Sequence, residues 1–140
     1  MQDGDLELWT RPRYVVVIEG VLCRVEPVVR QHRWPRRDET TGYNVQWYDV
    51  PLKRMLYLKD RWPDTAQELV TFVSQEFCDQ AADFLDDAGM QYDEIRYRPF
   101  SDFASTLRYK PDIQSVYDSD PARLDRYGQV GHAVVAGEDL

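Results

Sequence analysis

The residues best placed by type and spacing to do chemistry are Glu19 with Gly20, Ser74, and the pair Asp118 and Asp120. Each follows a short apolar or β-branched run: 14–18 before Glu19, 69–73 before Ser74, 113–117 before Asp118. Carboxylates and hydroxyls are the groups that transfer protons and hold hard divalent cations. They act together only if the ends of those runs meet. A structural role stands beside two of them. Ser74 and Asp120 precede segments of helical pattern, where a short oxygen-bearing side chain caps the first turn, and Pro121 suits the first helical position.

The elements that must position these groups follow from hydrophobic pattern. Tyr14-Val15-Val16-Val17-Ile18 has no polar alternation, which predicts a strand buried on both faces, the central strand of a parallel sheet. Residues 69–73 predict a second strand. Phe77, Ala81, Phe84, Leu85 and Ala88 then recur at helical spacing with aspartates between them, and Gly89 supplies the stop. Further strands are expected at 92–98, 113–117 and 132–136, with short helices at 52–58 and 121–127. Residues 23–50 predict a hairpin: alternating Arg24, Glu26, Val28 and Arg30, a loose polar tip with Pro35 and 38–42, then Tyr43, Val45 and Trp47. Strands alternating with helices imply an α/β fold with a mostly parallel five-stranded sheet, and ligands of such sheets collect beyond the carboxyl ends of the strands, where strand order reverses.

Composition narrows the function classes. A chain of 140 residues, 43% hydrophobic and 30% charged, suits one folded domain over 1–140. No apolar run reaches the roughly 18 residues of a membrane span, and residues 1–12 form an acidic lead-in without the basic-then-apolar profile of a signal peptide. A cytoplasmic protein without membrane partners is expected. Arginine outnumbers lysine 14 to 3, a bias of GC-rich genomes such as those of actinobacteria and their phages, in which case the location is the host cytoplasm. Cys23 and Cys78 form no CxxC pair and read as buried thiols. His32 and His132 lie far apart with no cysteine at ligand spacing, which argues against zinc.

A formal charge of −8 disfavours wholesale nucleic-acid binding. One stretch departs from it. Residues 24–37 hold five arginines against the single acid Glu26, a net of +4, leaving −12 for the remainder. Exposed Trp, Tyr and Arg are enriched in interface hot spots. Arg24, Arg30, Arg33, Trp34, Arg36, Arg37, Tyr43 and Trp47 are therefore candidate partner-binding residues, for a protein first and for single-stranded nucleic acid second. The alternative is that the aromatics pack the hairpin onto the sheet while the arginines pair with the acidic body.

The strand-end residues, in their order, resemble those of the haloacid dehalogenase-like (HAD-like) superfamily of hydrolases, small phosphatase type, from about Arg13 to Gly137. Val70-Thr-Phe-Val-Ser-Gln-Glu-Phe77 and Ala82-Asp-Phe-Leu-Asp-Asp-Ala-Gly-Met-Gln-Tyr-Asp-Glu-Ile-Arg-Tyr-Arg-Pro99 are similar to the second-motif strand, its helix and the next strand. Tyr109-Lys-Pro-Asp112 resembles the segment with the family's lysine, and Val116-Tyr-Asp-Ser-Asp-Pro-Ala-Arg-Leu124 its acidic fourth motif. The resemblance implies a Rossmann-like three-layer sandwich with 23–50 as a flap insert. It also implies Ser74 as a phosphoryl-binding hydroxyl, Lys110 as a neutralising cation, and Asp118 with Asp120 as Mg²⁺ ligands.

The first motif, Asp-x-Asp-Gly-(Thr/Val)-Leu in the family, corresponds to Val17-Ile-Glu-Gly-Val-Leu22. Val17 stands where the family has its nucleophile and one metal ligand. What the resemblance implies is thus a catalytically inactive pseudo-phosphatase serving as a protein-binding or regulatory module, with no cofactor expected. Two alternatives stay open: an Mg²⁺-dependent phosphohydrolase of a small phosphate ester or nucleotide using Glu19, Asp118 and Asp120, and a phosphate or nucleotide sensor built on Ser74, Lys110 and the Gly20 turn.

Overall fold

A computed structural model describes residues 13–61, 63–107, 113–129 and 134–136. The chain order is β1 (Arg13–Val17), a tight turn (Ile18–Val21), the hairpin β2 (Cys23–Arg33) and β3 (Arg36–Trp47), and α1 (Asp49–Arg61). There follow β4 (Ala66–Thr71), α2 (Gln75–Asp87), β5 (Glu94–Tyr97), α3 (Phe100–Thr106), β6 (Ile113–Asp118), α4 (Pro121–Gln129) and β7 (Val134–Ala136).

β1 pairs in parallel with β4 on one side and β6 on the other; β5 lies beyond β4 and β7 beyond β6. The hairpin forms its own antiparallel unit. This is the α/β class with a parallel sheet that the alternating pattern implies. The chain builds outward from β1 through β4 to β5, then returns to the other side of β1 for β6. Strand order therefore reverses between β1 and β6, which is where a parallel sheet opens a crevice at its carboxyl edge.

Successive strand residues point to opposite faces, and helices cover both. Tyr14, Val16 and Ile18 join Leu69 in a cluster with Met55 of α1 and with Phe77, Ala81 and Leu85 of α2. Val15, Val17 and Val70 face the other way, against Phe103, Leu107, Ile113 and Val116, with Leu124 of α4 at the edge. Cover on both sides favours an apolar residue at each position, which accounts for the run at 14–18. Val15, Val16, Val17 and Ile18 are fully buried, each contributing about 1.5–3 kcal/mol relative to exposure.

Four expectations need correcting. Residues 38–42 are not a loose tip. Pairing continues up to Arg33 and Arg36, so the turn is Trp34-Pro35, and Thr41 is the extra residue of a bulge between the pairs Val28–Gly42 and Val29–Thr40. β4 ends at Thr71 rather than Val73, because the next backbone N–H groups, of Phe72 and Val73, are taken by the side chains of Glu19 and Thr71. The third strand is Glu94–Tyr97, shorter than 92–98. A helix, α3, occupies a segment in which no element was expected. His132 lies outside the described residues.

Candidate functional site

The crevice at the switch point begins with the turn after β1. Leu22 N–H donates to Ile18 O at 2.9 Å, while Glu19 and Gly20 leave helical geometry, Gly20 at φ 88°. A Cβ on Gly20 would lie 2.1 Å from Ser119 Oγ in the loop after β6. The positive φ is what favours glycine here, and a Cβ would in addition force the Ser119 hydroxyl to turn away. Tyr48 N–H donates to Leu22 O at 2.8 Å, returning the end of the hairpin to its start. The resulting crevice, about 630 Å³, has Glu19, Gly20, Ser119, Asp120 and Arg123 on the sheet side and Arg24, Val25, Pro27, Tyr43 and Tyr48 on the hairpin side.

Glu19 is tied to the sheet. Its Oε1 accepts the N–H of Phe72 at 2.9 Å, linking the turn after β1 to the end of β4. Its Oε2 is buried with no hydrogen-bond partner among the described residues. Burial raises the carboxyl above the usual carboxylate range, opposed by the Phe72 N–H and, less strongly, by the Thr71 hydroxyl and the Arg123 charge. Desolvation, and secondarily the Glu19 charge, pushes the thiol of neighbouring Cys23 up to about 12. Cys23 and Cys78 are both buried free thiols.

Asp118 closes β6 and is fully buried. Arg123 grips it twice, Nε to Oδ2 at 2.7 Å and Nη2 to Oδ1 at 3.0 Å, and Oδ1 also accepts the N–H of Asp120 at 3.1 Å. The same guanidinium approaches Asp120 Oδ2 at 3.5 Å and lies 5.1 Å from the centre of the Phe72 ring. Asp120 accepts the N–H of Ala122 at 2.9 Å, the capping role that Asp before Pro announces. Val17, at the nucleophile position of the resemblance, is sealed in the apolar cluster under α3.

Ser74 caps α2 by accepting the N–H of Phe77 at 3.1 Å, and its Oγ is 2.8 Å from the hydroxyl of Tyr43. The hairpin thus reaches down to this hydroxyl. Tyr43 also packs edge-on against Phe77 at 5.6 Å, and Trp47 stacks on Phe84 at 4.3 Å with the rings 5° from parallel. These two aromatics hold the base of the hairpin against α2. Arg24 rims the crevice and pairs with Glu26. Lys110 lies outside the described residues.

Arg30, Arg33, Trp34, Arg36 and Arg37 are not part of this crevice. They stand in the distal half of the hairpin, where Trp34 is 93% exposed and a notch of about 740 Å³ is lined by Gln31, His32, Arg33, Trp34, Arg36, Arg37 and Asp38. His32 Nε2 is 2.7 Å from Glu39 Oε2.

The residue that sequence reasoning missed is Arg123. Its signal was available: it stands in the first turn of α4, where the helix dipole disfavours a cation. A cation there answers to a nearby anion, and Asp118 is that anion.

No protein-family model and no curated protein matches this chain. Among the described residues no helix is long and apolar enough to cross a membrane, and no three His, Cys, Asp or Glu side chains are gathered as metal ligands would be.

Proposed function

We propose that this chain is a catalytically inactive, HAD-like pseudo-phosphatase whose fold serves as a scaffold presenting the hairpin to a protein partner. The observation that carries this reading is the double hydrogen bond from Arg123 to Asp118. The carboxylate that an active relative would turn toward a metal is here neutralised by a side chain of the same polypeptide. Mg²⁺ requires several oxygen ligands in near-octahedral geometry. Val17 supplies none, both oxygens of Asp118 are engaged, and Asp120 is divided between its cap and the same guanidinium. The donor set does not fit the ion.

Glu19 is a poor substitute nucleophile for a separate reason. One oxygen is bonded to Phe72 N–H and the other is closed off from solvent. The strand arrangement, with the switch point between β1 and β6 and a hairpin inserted directly after β1, supports the resemblance at the level of fold. Function rests on the site and not on the fold, since one fold hosts many activities.

The test is a phosphatase assay with Mg²⁺ over a panel of phosphate esters and nucleotides, with Asp118→Asn and Glu19→Gln run beside the parent. No turnover by the parent is expected. Turnover that either substitution abolishes would overturn the reading in favour of an active phosphohydrolase. A second reading, a phosphate or nucleotide sensor, is favoured by one observation: Arg24, Ser119 and the Gly20 turn all border the crevice. A rise in melting temperature with inorganic phosphate or a nucleotide would establish it.

A further inference from the structure

The distal hairpin is built unlike the rest of the chain. Every residue from 28 to 41 is exposed except His32. A two-stranded antiparallel ribbon without a covered face is marginally stable in water, and this one also presents Val28, Val29 and Trp34 to solvent. Arg33 lies directly across the ladder from Arg36, an opposition of like charges that destabilises a pair. Among the described residues, none of Arg30, Arg33, Arg36 and Arg37 has a carboxylate within ion-pair distance. A ribbon of this kind gains stability from an anionic surface laid against it.

Such a surface exists on the same polypeptide. The body carries −12 against the +4 of residues 24–37, and α2 exposes Glu76, Asp79, Asp83, Asp86 and Asp87. Asp79 and Asp83 are one turn apart, about 6 Å along the helix, comparable to the roughly 5 Å between directly opposed residues such as Arg33 and Arg36. The tip cannot reach its own α2. Trp47 and Tyr43 pin the base of the ribbon to that helix, and Trp34 lies nine residues beyond Tyr43, roughly 30 Å away at 3.3 Å per residue. Complementary charges that one molecule holds too far apart to join can meet between two molecules.

We infer that the basic hairpin tip docks on the acidic helix α2 of a second copy of this chain. This rests on the reading of the hairpin as a binding element and names its partner. Nucleic acid is the less favoured occupant, because the acidic body would repel its phosphates.

The experiment is sedimentation equilibrium of the full chain at about 0.1 M and about 1 M NaCl, where the screening lengths are about 10 Å and 3 Å. A mass above that of the monomer is expected at the lower salt and the monomer mass at the higher. Arg33→Glu/Arg36→Glu and Asp79→Lys/Asp83→Lys are each expected to be monomeric, and their mixture to recover the heavier species, since the acidic tip of one variant meets the basic helix of the other. Circular dichroism checks that each variant folds, and Trp34→Ala, a change at an exposed position, serves as a milder probe of the tip. A monomer under all conditions, or an oligomer indifferent to these substitutions, would overturn the inference. So would a monomer that binds a labelled single-stranded oligonucleotide or a poly-glutamate peptide through Arg33 and Arg36, an outcome that leaves the hairpin a binding element but changes its partner. Failure of the pseudo-phosphatase reading appears in the turnover assay, not in the mass.

Discussion

Arg123 binds both carboxylate oxygens of Asp118, at 2.7 and 3.0 Å, while stacking over Phe72, so one guanidinium joins the end of β6, the start of α4 and the segment after β4. Removing one member of a buried pair leaves the other charge uncompensated, a loss of about 3–5 kcal/mol. Arg123→Ala should therefore lower stability by about 3 kcal/mol in urea denaturation. Arg123→Gln combined with Asp118→Asn should recover part of that loss, because neither charge then remains buried alone. Equal losses in the single and double variants would contradict the pairing argument.

Val17→Asp places a carboxylate where the proposed resemblance expects one. The new carboxylate would enter the cluster of Val15, Val70, Phe103 and Leu107, where an unpaired charge is strongly disfavoured. A loss of several kcal/mol is expected, on the order of 3 or more. No phosphatase activity should appear, because Asp118 stays bound to Arg123. Activity in this single variant would mean that Arg123 yields easily.

Glu19 should make stability depend on pH in a defined direction. Its carboxyl titrates higher in the folded chain than the ordinary 4.5, so the folded state holds the proton more tightly than the unfolded state. Stability is then greatest below the ordinary value and falls as pH rises through the folded one. Glu19→Gln should flatten this part of the profile. The comparison is the difference between parent and variant in denaturant midpoints from about pH 4 upward, and identical slopes would refute the assignment.

Two tryptophans of one hairpin should respond differently. Trp47→Ala removes the stacking on Phe84 and opens a gap at the base, with an expected loss of about 3 kcal/mol. Trp34→Ala, at a position 93% exposed, should change monomer stability by less than about 0.5 kcal/mol. Thermal or urea unfolding at low protein concentration and high salt isolates the monomer.

Cys23 should resist alkylation at neutral pH. Its thiol is buried and pushed up to about 12, and the thiolate is the reactive form. Iodoacetamide labelling should require unfolding, and rapid labelling of the native chain would show an opening of the turn after β1.

The elements legible in the sequence were those in which local pattern and tertiary role agree. The run 14–18 is apolar because helices cover both faces of β1, and Phe77, Ala81 and Leu85 share a stripe because α2 packs on one of them. Ser74 and Asp120 announced their caps by type and position. The hairpin was visible, but its bulge at Thr41 was not, since Thr40-Thr41-Gly42 reads as easily as a loop. Helix α3 escaped because Ser101, Asp102, Ser105 and Thr106 dilute the spacing of Phe100, Phe103 and Leu107. The candidate site was legible as a set of strand ends. What escaped was the charge balance within it, because Arg123 acts across a strand-to-helix turn that fixed helical spacings do not describe.

The hairpin divides its labour by distance from the body. Near its base, Tyr43 and Trp47 are held by Ser74, Phe77 and Phe84, so changes there are felt in the core. At its tip, the side chains bear on nothing that the core depends on. Such a ribbon can drift in sequence at one end without losing its footing at the other, and among homologous chains the residues flanking Trp34-Pro35 should change together with the exposed acids of α2, while Tyr43, Trp47 and the aromatic side chains beneath them stay fixed.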